Sequence, residues 1–182
     1  MQPYSCLFDR SRTQSKHATI KLPMEVPMNH YQRILILEAR PAAVYAALTT
    51  PAGLRGWWTQ DCEVDTEVGG KIRLRFGATH KHLRIERLVP LREVRWRCTG
   101  AHIAVGQFKR RDEWVGTELV FRLAPDGPHR TRLDFEHIGL DPSLECYRLC
   151  NDAWNHFLGS LQQFVETGHG TPHEAEPATA EI

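Results

Sequence analysis

The run from Asp141 to Gly168, DPSLECYRLCNDAWNHFLGSLQQFVETG, constrains the fold more than any other stretch. Tyr147, Cys150, Trp154, Phe157, Leu161 and Phe164 recur at steps of three and four, which puts them on one helix face. The spacing predicts a helix of roughly 25 residues, about 36 Å long. Asp141 suits its N-cap, Pro142 its first helical position and Gly168 the residue just past its end. Aromatic rings and a thiol in mid-face need a broad apolar surface to lie on. The strand-like TRLDFEHIGL directly before the run is a first piece of one.

The chain upstream supplies the rest of that surface. Tyr31–Ala39 reads as a first strand and Pro41–Leu48 as a short helix with Val44, Ala47 and Leu48 on one side. Pro51 pushes Thr50 out of the helical region, and Thr50 then caps a second short helix running into Gly56-Trp57-Trp58. Beyond it the period changes to two. Lys71–Phe76 alternates cleanly, and Leu83–Leu88, Glu93–Cys98, Glu113–Leu123 and Thr131–Ile138 continue as strands. Gly100–Asp112 fits either a strand edge or a long loop over an opening.

Composition excludes several classes of protein. With 23 basic and 22 acidic side chains the net charge is +1, so nothing draws the chain as a whole toward nucleic acid. The basic runs at Arg84–Arg97 and Lys109–Arg111 alternate with apolar residues, as a solvated strand face does. No stretch approaches the ~20 apolar residues of a membrane span, and the N-terminus lacks a secretory h-region. Five cysteines without framework spacing point to reduced thiols and a cytoplasmic setting. Residues 1–28 read as a flexible leader, 29–168 as one domain and 169–182 as a flexible tail; Met28 is an alternative start.

Five segments, PAAVYAALTTPAGLRGWWT, VGGKIRLRFG, EWVGTELVFRL, TRLDFEHIGL and WNHFLGSLQQFVETGHGTP, together resemble the SRPBCC superfamily of START-like helix-grip domains. Within it they are most similar to the group of activator of heat-shock-protein-90 ATPase-like C-terminal domains. The resemblance spans residues 30–172, and the motifs stand in the family's order. Two departures are Ala153-Trp154, where the family usually has Gly-Trp, and the extended leader. The resemblance implies an α+β helix-grip fold. A curved antiparallel sheet of six or seven strands would grip the long C-terminal helix, with two short helices after strand one and a cavity between sheet and helix. Members bind lipids, sterols, polyketides, hormones or nothing known, and some are cyclases, so fold alone does not give the function.

Given that frame, the expected cavity lining is Trp57, Trp58, Phe76, Trp96, Phe135, His137, Cys150, Trp154 and Phe157. His137 shares a strand face with Leu133 and Phe135, so it points at the helix, where an imidazole can donate to a ligand or move a proton. The competing assignment is a histidine bonded to backbone at the strand end. Trp57 and Trp58 fall near the usual cavity entrance of this fold; one can stack on a flat ligand while the other packs in the core. Trp114 also belongs to the interior. Cys146 and Cys150 lack a second ligand pair at zinc spacing, and His80 and His82 lack a third ligand. Gly69-Gly70 precedes no helix, so it is a turn and not a phosphate loop. No GxSxG appears to support a hydrolase.

The expectation is a carrier or sensor of a small hydrophobic or aromatic molecule, with no catalytic residue, metal or cofactor assigned, acting as a monomer or weak homodimer. A polyketide cyclase or aromatase-like enzyme is the alternative, using His137 with Glu86, Arg84 or Glu113. A chaperone-ATPase accessory role is the third.

Overall fold

A computed structural model describes residues 30–174; the expected leader and residues 175–182 of the expected tail lie outside the described residues. The elements are β1 (Tyr31–Leu37), α1 (Pro41–Thr49), α2 (Pro51–Trp57), β2 (Cys62–Val64), β3 (Lys71–Phe76), β4 (Thr79–Val89), β5 (Glu93–His102), β6 (Glu118–Pro125), β7 (Thr131–Ile138) and α3 (Tyr147–Thr167). The strands form one antiparallel sheet in the order β1-β7-β6-β5-β4-β3-β2. This is the α+β helix-grip architecture, with α3 packed on the sheet's inner face.

Alternation decides which side faces in. On β3, Ile72 and Leu74 are buried while Lys71, Arg73 and Arg75 are exposed. The β4–β5 pairing slips between His82 and Leu83 and again between Ile85 and Arg87, and such bulges bend and twist a sheet. On the outer face the arginines of the central strands are paired. Arg97 binds Glu118, Arg95 lies 3.3 Å from both Glu93 and Glu118, and Arg122 lies 2.9 Å from Glu136. The run Lys109–Arg111 lies in the loop after β5 and not on a strand face.

Thr50 joins α1 to α2 by serving both. Its hydroxyl donates back to the Ala46 carbonyl (2.8 Å) and accepts from the Gly53 amide (3.0 Å). Gly53 is required where the two helices meet, because a Cβ there would come within 2.5 Å of the Ala46 carbonyl oxygen.

The long helix begins five residues later than its spacing predicts, at Tyr147 and not at Pro142. Asp141 does not cap it; its Oδ1 accepts from the Ser143 amide at 2.8 Å and closes a local turn. The helix starts at Tyr147 with Cys146 as N-cap, and Cys146 makes no capping bond with its own side chain. The Glu113 carboxylate, from the loop before β6, accepts from the amides of Glu145 (3.1 Å) and Cys146 (2.8 Å) instead. A tertiary contact thus replaces a local cap, and local spacing carries no sign of it. The far end matches the spacing: Gly168 is left-handed (φ 85°) and its amide reaches Phe164 O at 2.8 Å.

Residues 169–174, expected as the start of a tail, are held in place as a strap. Thr171 N donates to Ser160 Oγ (2.7 Å), His173 N to Trp58 O (2.9 Å), and Gln60 N to His173 O (3.0 Å). Buried Ser160 also donates to Trp57 O (2.7 Å), so one hydroxyl ties α3, α2 and the strap together. Gly170 permits this approach, since a Cβ would meet the Gly56 carbonyl oxygen at 2.5 Å.

Candidate functional site

All five tryptophans of the chain meet in one cluster. Trp57 stacks on Trp58 (centroids 5.1 Å, planes 7° apart), and Trp58 reaches Trp96 at 5.9 Å and Trp154 at 5.4 Å. Trp154 in turn stacks on Trp114 at 5.8 Å. α2, β5, α3 and the loop after β5 each contribute to this row, which separates packed core from open space.

On one side of the row lies a half-open cavity of about 280 Å³ between the sheet and α3. Trp58 and Trp114 line it, and Phe76, Ile103 and Val105 form the sheet and loop side. The helix contributes Leu149, Cys150, Ala153, Trp154 and Phe157, and the strap closes one edge with His173. Thr79 and Lys81 of β4 complete the wall. The loop 103–117 is thus a wall over the opening, fastened by Ala104 N to Thr79 Oγ1 (2.9 Å) and by Ile103 N to Arg111 O (2.8 Å).

Five of the residues expected at the cavity face it: Trp58, Phe76, Cys150, Trp154 and Phe157. Trp57, Trp96, Phe135 and His137 stand behind the wall. Trp57 is fully buried and its indole donates to Ala47 O at 3.0 Å. Trp96 and Phe135 pack edge-on or tilted against Phe121, at 4.9 and 4.7 Å. Of the two tryptophans at the end of α2, one is core and the other faces the opening.

His137 is fully buried, and neither ring nitrogen is free. Trp154 Nε1–H donates to Nδ1 at 2.9 Å, which fixes the proton on Nε2 because an indole nitrogen only donates. Nε2–H then donates to Thr117 Oγ1 at 2.9 Å, and that hydroxyl donates to Trp114 O at 2.6 Å. Neither of the earlier assignments for His137 fits this arrangement, since its partners are side chains and it does not reach the cavity. Burial, with Lys81 and His30 adding to it, holds this imidazole well below the usual histidine range, so it is neutral. The residues considered as its catalytic partners are elsewhere. Glu113 caps α3, while Glu86 lies near Arg84 and Arg97 on the outer face.

Of the polar residues that face the cavity, Thr79 is bonded to the loop, which leaves Lys81 and His173. Lys81 is 5% exposed and its Nζ sits 4.1 Å above the Trp114 ring. Among the described residues it has no hydrogen-bond partner, and neither has His173 Nε2. Burial lowers the lysine's pKa from the ordinary value, and the thiols of Cys150, Cys98 and Cys146 oppose that only in part. The same burial pushes the Cys98 thiol up to about 11. Cys150 is held down by the Cys146 thiol and by the Trp114 indole, which donates to its sulfur at 3.1 Å. Cys146 is raised as the donating partner and by burial.

Reading the strand from Leu83 onward missed Lys81. Continuing the alternation two residues back from Leu83 and Ile85 puts the lysine on the inner face, so the signal was present in the period. His80, His82 and His102 cluster on the other face, with ring centroids 5.4 and 5.5 Å apart. Among the described residues no group of three or more His, Cys, Asp or Glu is placed to hold a metal ion. No described helix is long and apolar enough to cross a membrane.

Residues 38–166 match the family described as activator of Hsp90 ATPase homolog 1-like protein. The chain belongs to that family. The Aha1 dimer from Colwellia psychrerythraea, solved in solution, is 30% identical over 78% of this chain and 98% of its own, with a TM-score of 0.64. Two other solved structures share the fold at lower identity. DynU16, described as a putative protein in the dynemicin biosynthetic locus, is 19% identical over 79% of this chain and 49% of its own, with a TM-score of 0.59. CalU16 from Micromonospora echinospora is 20% identical over 77% of this chain and 75% of its own, with a TM-score of 0.56. No curated protein matches the sequence.

Proposed function

We propose that this member of the family binds a small hydrophobic or aromatic molecule in the cavity between the sheet and α3. The observation that carries the reading is an aromatic-walled space of about 280 Å³ in which two buried polar atoms lack partners among the described residues. That size suits a small aromatic molecule of up to about three rings, and a few polar groups in an apolar pocket are how such sites orient what they hold. Four buried free cysteines among the described residues support a reducing, cytoplasmic setting.

Binding without catalysis is favoured over a cyclase-like reaction. The latter was to use His137, and both its nitrogens are engaged away from the cavity. The Colwellia relative is described as a dimer, and self-association of this chain is the corresponding proposal for its partners. Sedimentation at several concentrations tests it, and a single monomeric species throughout would remove it.

The cavity reading is tested with the fluorescent probe N-phenyl-1-naphthylamine and the variant Ala153→Phe. Ala153 lines the cavity from α3, so a phenyl ring there fills it. The wild type is expected to bind the probe saturably and the variant to lose most of that binding. Equal binding by both proteins, or none by the wild type, removes the cavity as a ligand site.

A further inference from the structure

Lys81 is the charged residue of this cavity, and among the described residues no carboxylate answers its charge. The residue is only 5% exposed, and its Nζ has no hydrogen-bond partner among the described residues. A lysine serving only as packing threads its stem along the core and brings its ammonium to water. Here the ammonium stays inside, 4.1 Å over the Trp114 ring, with its N–H donors unused.

Among the described residues the surroundings offer no counter-ion. The thiols of Cys98 on β5 and of Cys146 and Cys150 on α3 are the groups that favour the charge, and His137 on β7 is neutral with both nitrogens occupied. The carboxylate of Glu113 in the neighbouring loop already accepts from two amides at the start of α3. A second donor site, His173 Nε2, also lies buried and unpartnered on the same cavity. Buried charges are ordinarily paired, so a cavity that holds an unpaired cation is built for an occupant that brings the anion.

We infer that the occupant is an aromatic anion. Its flat ring lies among Trp58, Phe76 and Trp114, and its carboxylate, sulfonate or phenolate oxygen accepts from Lys81 Nζ and from His173 in its Nε2–H form. This inference rests on the cavity reading above and adds the charge of the ligand to it.

Two probes of one shape separate the inference from that reading. 8-Anilinonaphthalene-1-sulfonate carries a sulfonate on the aryl-naphthylamine frame, and N-phenyl-1-naphthylamine is the same frame without it. Wild-type protein is expected to bind the sulfonate more tightly than the neutral probe, by roughly tenfold or more, the scale of a desolvated charge-assisted hydrogen bond. Lys81→Met removes the charge at similar side-chain length. It is expected to lower the affinity for the sulfonate relative to that for the neutral probe by roughly tenfold or more. Lys81→Arg is expected to keep the preference.

Retained neutral-probe binding also shows that a variant is folded. Sulfonate affinity unchanged relative to the neutral probe in Lys81→Met overturns the inference, and so does a wild type that binds the neutral probe as well as the sulfonate. The second result needs no variant to fold, and it leaves the cavity reading intact. A wild type that binds neither probe overturns both.

Discussion

The indole N–H of Trp154 donates to Nδ1 of His137 at 2.9 Å, joining the middle of α3 to the end of β7 inside the core. The bond begins a short relay through Thr117 Oγ1 to the carbonyl of Trp114. Every donor in it has an acceptor, so the buried polar residues at the back of the cavity are satisfied and rigid. Helix, sheet and cavity loop are thereby held in one register.

Trp154→Phe breaks the first link of that relay. It leaves a fully buried imidazole nitrogen without its donor and removes part of a close-packed ring. Together these are expected to lower stability by about 2–4 kcal/mol. Urea unfolding monitored by far-UV circular dichroism gives the number. A loss below about 1 kcal/mol would mean that water or a neighbour replaces the indole.

The same imidazole makes stability depend on pH. Its folded pKa is depressed well below the ordinary 6.5, because burial excludes the charged form. The unfolded chain therefore binds more protons from about pH 6.5 downward, and stability rises with pH across that window. The sign is loss on acidification. Lowering the pH from about 6.5 to 5.5 is expected to remove about 1 kcal/mol through this group. His80, lowered by its partial burial and by His82 and His102, acts in the same direction. Chemical denaturation at several pH values provides the test, and a flat profile over that range would contradict a neutral, buried His137.

Lys81→Met reads the cost of the cavity's charge to the unliganded fold. An unpaired buried ammonium destabilises, whereas a thioether of similar length packs against Trp114 without desolvation. The substitution is expected to raise stability by about 1–3 kcal/mol, seen as a higher Tm in the absence of ligand. A lower Tm would show that the ammonium makes a stabilising contact in the free protein.

Glu113→Ala removes the carboxylate that caps α3. Two amides at the helix start lose their acceptor, and the favourable charge beside the N-terminal dipole is lost with it. A cost of about 1–2 kcal/mol is expected, with Glu113→Gln intermediate because it keeps an acceptor oxygen but no charge. Thermal unfolding of the three proteins orders them. Equal losses for Ala and Gln would assign the whole effect to charge.

Period and punctuation made much of the fold legible. The alternation at Lys71–Phe76 and Thr131–Ile138 marked those strands, Thr50-Pro51 marked the break between the short helices, and Gly168 marked the end of α3. What the period could not show was contact between distant segments. The capping of α3 by Glu113 lies 33 residues away in sequence, and the relay that occupies His137 spans 20 residues to Thr117. Alternation placed His137 on the inner face correctly. Whether an inner-face residue meets core or cavity depends on how far the helix has moved away from the sheet at that strand, which no local pattern encodes. Lys81 was legible in the same alternation, two residues before Leu83, once the strand is extended back to Thr79.

The strap offers the sharpest test of how the cavity edge is held. Gly170 passes so close to α2 and α3 that a Cβ would lie 2.5 Å from the Gly56 carbonyl oxygen and 2.9 Å from that of Ser160. Both are backbone atoms within packed helices, so the strap must move and the helices stay. Gly170→Ala is therefore expected to weaken the Thr171–Ser160 and His173–Trp58 bonds and release His173 from the cavity rim. Hydrogen exchange reads this directly: the amides of Gln60, Thr171 and His173 should exchange at least tenfold faster, while those of β3 to β7 remain protected, a local opening of about 1.4 kcal/mol or more. Exchange that is unchanged at those three amides would show that the strap tolerates the methyl group, and that its seat on Ser160 is looser than its hydrogen bonds imply.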